Sequence, residues 1–269
     1  MSRNLPVLMY HSIGVSASRE FRRWQVGPAL FADQLAALSE AGYGLASLSD
    51  TLDNRVGRTI TLTFDDAFHD FSDAIPILRA AGATATLYVP TAHVGRRASW
   101  LAGYAEAELA VMSWAELREV AAAGVEIGSH GHEHSELDVL PADEMRRDIS
   151  TSRATLRDHL GVAVRSFCYP FGYHTSAVRS AVAAAGFESA CEVGYRRHRS
   201  GDDPFAVGRL IVTADTRPEQ MVGLVTRGQS DVATELRRRT RTPWRAYRAA
   251  RYRAARYRAV HPASSQDAA

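Results

Sequence analysis

Two stretches of the chain carry side chains that could do chemistry. Thr61-Leu62-Thr63-Phe64-Asp65-Asp66 sets adjacent carboxylates at the end of an apolar run, where they are costly to desolvate unless a cation or a proton compensates one of them. An Asp pair in such a place is also a common helix N-cap, so the pair does not decide alone. Gly128-Ser129-His130-Gly131-His132-Glu133-His134 sets three alternating histidines after a second apolar run. A solvated loop has no need of such a cluster, and packing does not explain it. Neutral imidazoles with one carboxylate make a three-ligand set that leaves a position open for water, as in catalytic zinc sites. The chemistry to expect is metal-assisted hydrolysis.

The elements that must position these stretches alternate along the chain. Short apolar runs at 6–10, 59–64, 84–89, 125–128, 166–169, 189–193 and 207–212 read as strands. Between them, residues 28–41, 68–81, 141–160, 176–185 and 218–226 carry helical patterns, and Ser113-Trp114-Ala115-Glu116 has the form of a capping box opening a helix that ends at Gly124. About seven βα units predict an α/β fold, a distorted (β/α)7-type parallel barrel rather than an open sheet, with the reactive residues just after strand ends.

Thr63-Phe64-Asp65-Asp66, followed some sixty residues later by Ser129-His130 and then by His134, resembles the polysaccharide deacetylases, carbohydrate esterase family four. Pro6-Val7-Leu8-Met9-Tyr10-His11-Ser12-Ile13 and Phe167-Cys168-Tyr169-Pro170-Phe171-Gly172 are similar to one branch of that family, and the likeness covers roughly residues 5–230. The resemblance implies Asp65 as general base, with Asp66, His130 and His134 holding one divalent ion, zinc first and cobalt or nickel as alternatives. It implies that Tyr169, Pro170, Phe171 and Gly172 form the oxyanion and substrate loop, the backbone N–H of Phe171 standing at the oxyanion position. It further implies hydrolysis of an N-acylated amino sugar, free, carrier-linked or oligomeric.

Four departures stand out. Gly131 replaces the usual Ser or Thr. Cys168 stands where an Arg normally orients the base, with Arg165 a possible substitute, and the family's Asp-Trp motif has no clear match. The Leu-x-His motif that usually donates the proton to the leaving amine has no counterpart in Arg209-Leu210-Ile211-Val212-Thr213. His11 takes that role in this reading, because barrel closure sets the first strand beside the last, and members acting on poly-N-acetylglucosamine use an N-terminal histidine similarly. His132 is an alternative ligand, and His69 and His174 are weaker candidates for the cleft. Trp100 and Tyr104 could stack on a sugar ring, whereas Cys168 and Cys191 read as small buried hydrophobes.

With 269 residues, 46% of them hydrophobic and 23% charged, the chain is neither a disordered segment nor a disulfide scaffold. A net charge of +2 hides a division: from Leu236 onward ten arginines face one acid, and before it 22 arginines face 29 acids. All the basic residues are Arg, which reads as a GC-rich bacterial genome. The expected organisation is a barrel over 1–235 and a basic tail over 236–269, helical and then disordered, whose tyrosines rotate around the helix and leave no apolar face. Such a tail suits an anionic membrane surface or nucleic acid. A short, soon-polar N-terminal stretch and only two cysteines predict a cytoplasmic protein, peripheral at the inner membrane face. Two other readings stay open: an amidohydrolase-type metal hydrolase, prompted by His130-Gly131-His132, and a non-catalytic barrel that binds glycan or nucleic acid.

Overall fold

The computed structural model describes residues 4–15, 21–54, 58–101, 109–229 and 242–254. Its strands are β1 (Asn4–Leu5), β2 (Val7–Tyr10), β3 (Gly44–Ala46), β4 (Thr59–Phe64), β5 (Thr86–Val89), β6 (Glu126–Ser129), β7 (Ser166–Cys168), β8 (Ser189–Cys191), β9 (His198–Arg199) and β10 (Leu210–Ile211). Seven of them run in the order β10-β2-β4-β5-β6-β7-β8, all pairs parallel, with β3 joined to β4. The sheet curls until its edges meet. Val207 exchanges backbone hydrogen bonds with the β8 edge, donating to Ala190 and accepting from Glu192, both at 2.9 Å, while Leu210 and Ile211 pair with Leu8 and Met9 of β2. One short segment therefore closes the ring and brings the first barrel strand beside the last. β1 and β9 form a separate antiparallel pair.

Strands covered on both faces need continuous apolar runs rather than alternation, and all four residues of β2 are buried. The helices that cover the barrel are α1 (Pro28–Glu40), α2 (Leu48–Asn54), α3 (Ala74–Ala80), α4 (Trp114–Ala122), α5 (Ala142–Leu160), α6 (Ser176–Ala184) and α7 (Pro218–Arg227). The Ser113–Glu116 capping box forms at the start of α4 as the sequence predicts. Helix α5 buries Met145, Ile149, Ser152 and Leu156 along one stripe and stops at Gly161, whose φ of 66° is the left-handed conformation that glycine adopts without strain.

Two elements differ from expectation. The helix expected over 68–81 is a 3-10 turn, His69–Asp73, followed by α3. Pro76 has no N–H to return to Ser72, so an α-helix cannot run through that turn. The β3–α2 unit is not anticipated by periodicity, because three strand residues and seven helical ones are too short to establish a pattern.

Residues 242–254 are helical, and this part of the tail is held against the barrel. Trp244 Nε1 donates to the Tyr173 hydroxyl at 2.8 Å, Arg248 makes a bidentate pair with Asp138 at 2.7 and 2.8 Å, and the Tyr252 hydroxyl donates to Glu144 at 2.6 Å. The docking face uses a spacing of four residues, 244, 248 and 252, and is aromatic and charged. A search for aligned tyrosines or an apolar stripe could not reveal it. The boundary expected near 236, Tyr257 and the segment expected to be disordered lie outside the described residues. Among those residues no helix is long and apolar enough to cross a membrane.

Candidate metal centre and active site

Strand β4 ends at Phe64 and delivers Asp65 and Asp66, while β6 ends at Ser129 and delivers His130. The backbone then turns sharply: Asp66, Ala67 and His134 have φ of 73°, 49° and 52°. Left-handed conformations are uncommon for such residues and gather at functional sites. The turns aim neighbouring side chains apart and bring His134 back onto the cluster. Asp66 Oδ1 lies 3.5 Å from His130 Nε2 and 3.2 Å from His134 Nε2, and one ligand atom from each of the three residues lies within 4.8 Å of the others. All three are buried.

These residues fit a divalent cation. Asp66 Oδ1 and His134 Nδ1 are buried with no hydrogen-bond partner among the described residues. Burial pushes the Asp66 carboxyl up, the expected behaviour of a carboxylate lacking its counter-ion, and pushes the His134 imidazole down to about 3, which leaves it neutral. His130 shares a hydrogen bond of 2.8 Å between Nδ1 and the Cys168 carbonyl; because a carbonyl only accepts, Nδ1 carries the proton and Nε2 is free to ligate. A second group, Asp65, His130 and Cys168, also lies close enough to hold an ion. It is the poorer set, since Asp65 is engaged elsewhere and burial pushes the Cys168 thiol well up, keeping it protonated.

Asp148, on α5, holds the histidine loop by accepting from the backbone N–H groups of His132 and Glu133 at 2.8 and 2.9 Å. Gly131 has φ of 76°, and a Cβ there would come within 2.8 Å of Asp148 Oδ1. The loop is thus built around a glycine, with Asp148 holding its backbone. His132 turns away to meet Thr91 Oγ1 at 2.8 Å and is not a member of the cluster, so the His-x-His pair does not converge as an amidohydrolase-type site would need.

The residue that orients Asp65 is Arg209, which sequence reasoning missed. Its wholly buried guanidinium donates to Asp65 Oδ1 at 2.6 Å and to Oδ2 at 2.8 Å, and also to Thr63 Oγ1, the Glu192 carbonyl and Cys168 Sγ at 3.2, 3.2 and 3.1 Å. Burial alone would raise the Asp65 carboxyl, but the guanidinium outweighs it and holds the group well below the usual carboxylate range. Arg165 instead pairs with Asp53 and Glu188 near the surface. The small Cys168 side chain, at the position where the resemblance expects Arg, touches the guanidinium of Arg209, which immediately precedes β10. The one available signal was a charged residue inside an otherwise apolar closing strand.

A cleft of about 390 Å³ opens over the cluster, with His11, Trp100, Phe171 and Tyr173 among its walls. His11 follows β2 and lies half-buried against Trp24, with ring centroids 4.9 Å apart; its Nδ1 has no hydrogen-bond partner among the described residues, and burial lowers its pKa. Trp100 stacks on His134 at 4.5 Å, and Tyr104 lies outside the described residues. In the 169–172 loop only Phe171, with φ of 58°, shows its side chain to the cleft, being 45% exposed. Tyr169 is buried and donates to the Phe205 carbonyl, Pro170 is buried, and Gly172 has no room for a Cβ beside Val193; these three shape the turn. His69 pairs with Glu116 and His174 with Glu192, both at 2.6 Å, and neither lines the cleft.

A family model described as polysaccharide deacetylase matches residues 53–190. The chain belongs to the polysaccharide deacetylase family. YxkH of Bacillus subtilis (strain 168) is 25% identical over 191 residues, 68% of this chain and 62% of the relative, so the match spans less than two thirds of that protein. Among solved structures, the Streptococcus pyogenes deacetylase PplD in complex with acetate superimposes with a TM-score of 0.71 at 23% identity, covering 83% of this chain and 98% of that one. IcaB from Ammonifex degensii gives 0.68 at 25% identity, covering 82% and 95%. These likenesses support the distorted barrel, and the family model spans both the Asp65–Asp66 pair and the His130–His134 stretch.

Proposed function

We propose that this polysaccharide deacetylase family member is a metal-dependent hydrolase that removes an acetyl or similarly short acyl group from an N-acylated amino sugar. The observation that carries the reading is the convergence, in one cleft, of the Asp66, His130 and His134 donor atoms with a separate carboxylate, Asp65, kept ionised by Arg209. Asp66, His130 and His134 would hold one divalent ion, zinc first and cobalt or nickel as alternatives. Such an ion supplies Lewis acidity, polarising the acyl carbonyl and making a water easier to deprotonate.

The chain's own groups do the rest. Asp65 takes a proton from the water as its oxygen adds to the acyl carbon, and Arg209 fixes the carboxylate's direction through two hydrogen bonds. The backbone N–H of Phe171 donates to the oxygen on which negative charge develops, a role independent of the side chain. His11 gives a proton to the amide nitrogen as the carbon–nitrogen bond breaks, leaving a free amino sugar and a short carboxylic acid.

Acetate and formate release across acylated amino sugars in free, nucleotide-linked, lipid-linked and oligomeric form tests the reading. Release should depend on the metal, cease on chelation and return with zinc, cobalt or nickel; a metal-loaded protein inert on the whole panel would overturn it. His11→Gln should keep its metal, turn over roughly 10²- to 10⁴-fold more slowly and lose the alkaline limb of its pH–rate profile, because a general acid must be protonated to act. Near wild-type turnover, or loss of metal, would remove His11 from the mechanism.

A further inference from the structure

The large hydrophobic side chains that remain exposed among the described residues are Val15, Phe171, Trp244 and Tyr247, at 87%, 45%, 44% and 53%. Three of the four belong to one aromatic track. Phe171, on the wall of the catalytic cleft, stacks near Tyr173 with centroids 6.2 Å apart and planes 27° from parallel. The Tyr173 hydroxyl accepts from Trp244 Nε1, and Trp244 stacks on Tyr247 at 5.3 Å and 25°. The track thus leads from the metal-ligand cluster onto the C-terminal helix. Exposed aromatics are costly in water unless a ligand covers them, and rings presenting a flat apolar face with a polar edge suit ligands of the same mixed character.

The helix does more than extend the track. Between it and the barrel lies a cleft of about 260 Å³, lined by Asp138, Tyr173, Thr175, Trp244, Arg245 and Arg248 among others. That is slightly below the roughly 300 Å³ floor for drug-sized ligands and of the scale of a single sugar ring. Arg248 is held in this wall by Asp138 and by the Tyr173 ring, 3.7 Å from the guanidinium carbon to the centroid, and its Nε–H is buried with no hydrogen-bond partner among the described residues. Aromatic faces for the C–H surface of a pyranose, together with a carboxylate, a hydroxyl and guanidinium donors for its hydroxyls, form a sugar-binding set. Tyr173 is common to this cleft and to the catalytic one.

We propose that the C-terminal helix completes a second sugar subsite, so that the preferred substrate is an oligomer whose neighbouring unit stacks on Trp244 and Tyr173 while the acylated unit occupies the metal-ligand cluster. The inference rests on the deacetylase reading and narrows its substrate class. It also gives the tail a role besides attachment to an anionic surface: Arg248 is buried against Asp138, and the exposed Arg245 donates to the Asp138 carbonyl.

The test uses the full-length, zinc-loaded protein with N-acetylglucosamine oligomers of one to five units in β-1,4 and β-1,6 linkage. Two readouts are followed, kcat/KM and tryptophan fluorescence. Wild-type kcat/KM should rise on passing from one unit to two or three. Trp244→Ala should lower the ratio of oligomer to monomer kcat/KM about 3- to 10-fold, mainly through KM, the loss expected for one stacking contact, and Trp244→Phe should restore much of it. Oligomers should quench wild-type fluorescence more than the monomer does, and Trp244→Phe should abolish that difference, leaving only the change that Trp24 and Trp100 report from the catalytic cleft. An equal loss on monomer and oligomer would reduce the helix to a brace for the Phe171 loop and overturn the proposal. So would oligomer-insensitive kinetics and fluorescence, or Trp244-dependent binding to phosphatidylserine vesicles in their place. Quenching without acyl release would leave the subsite standing and sink the deacetylase reading instead.

Discussion

Asp65→Asn protein should carry its full complement of divalent metal and turn over roughly 10²- to 10⁴-fold more slowly, whereas Asp66→Asn should fail to retain the metal at all. The two residues are adjacent, yet the left-handed backbone at Asp66 sends one carboxylate to Arg209 and the other to His130 and His134. An amide at position 65 still offers Arg209 an acceptor but cannot take a proton from water. An amide at position 66 removes the only negative charge from the ligand set. Metal content by elemental analysis and initial rates on a small acylated amino sugar decide the matter; metal loss in Asp65→Asn with retention in Asp66→Asn would reverse the two roles.

Arg209→Met should cost about 3–5 kcal/mol of stability, because it strands a buried carboxylate that loses both of its strong donors. For a domain of this size that corresponds to a fall in Tm of roughly 10 °C or more. The same substitution should remove most turnover, while Arg209→Lys, a point charge without the planar fork, should recover part of the stability and little of the rate. Calorimetric melting of the metal-loaded variants tests the first claim. The double variant Asp65→Asn with Arg209→Met separates the pair from its surroundings: it should be less destabilised than the two single changes added together. A melting temperature within two or three degrees of wild type for Arg209→Met would show that Asp65 finds other partners.

The carboxylate pair and the histidine cluster were legible because each follows an apolar strand directly, and strand ends are where a parallel barrel places its reactive groups. Barrel closure, and with it the neighbourhood of His11, followed from the count of βα units. Arg209 was not legible. It is 144 residues from Asp65, and a lone charge in the apolar run 207–212 does not by itself tell a buried guanidinium from one that reaches solvent. The missing base-orienting Arg at Cys168 could be seen, but its replacement could be found only across the barrel. The docked face of the tail was not legible for a related reason. Its inward face matches Asp138, Glu144 and Tyr173 by charge and hydrogen bonding, so hydrophobic periodicity carries no trace of it.

The way the ring closes gives the molecule a temporal order. A chain emerging from the ribosome presents the residues of Asp66, His130 and His134 well before β10 exists, and domains generally fold as units while synthesis proceeds from the N-terminus. Asp66, His130 and His134 are therefore encoded ahead of Arg209, and β2, which leads into His11, keeps an unpaired edge until β10 docks against it. The pairing of Asp65 with Arg209 is complete only when the last strand closes the circle. A product truncated before Arg209 would leave the Asp65 carboxylate without its two strong donors.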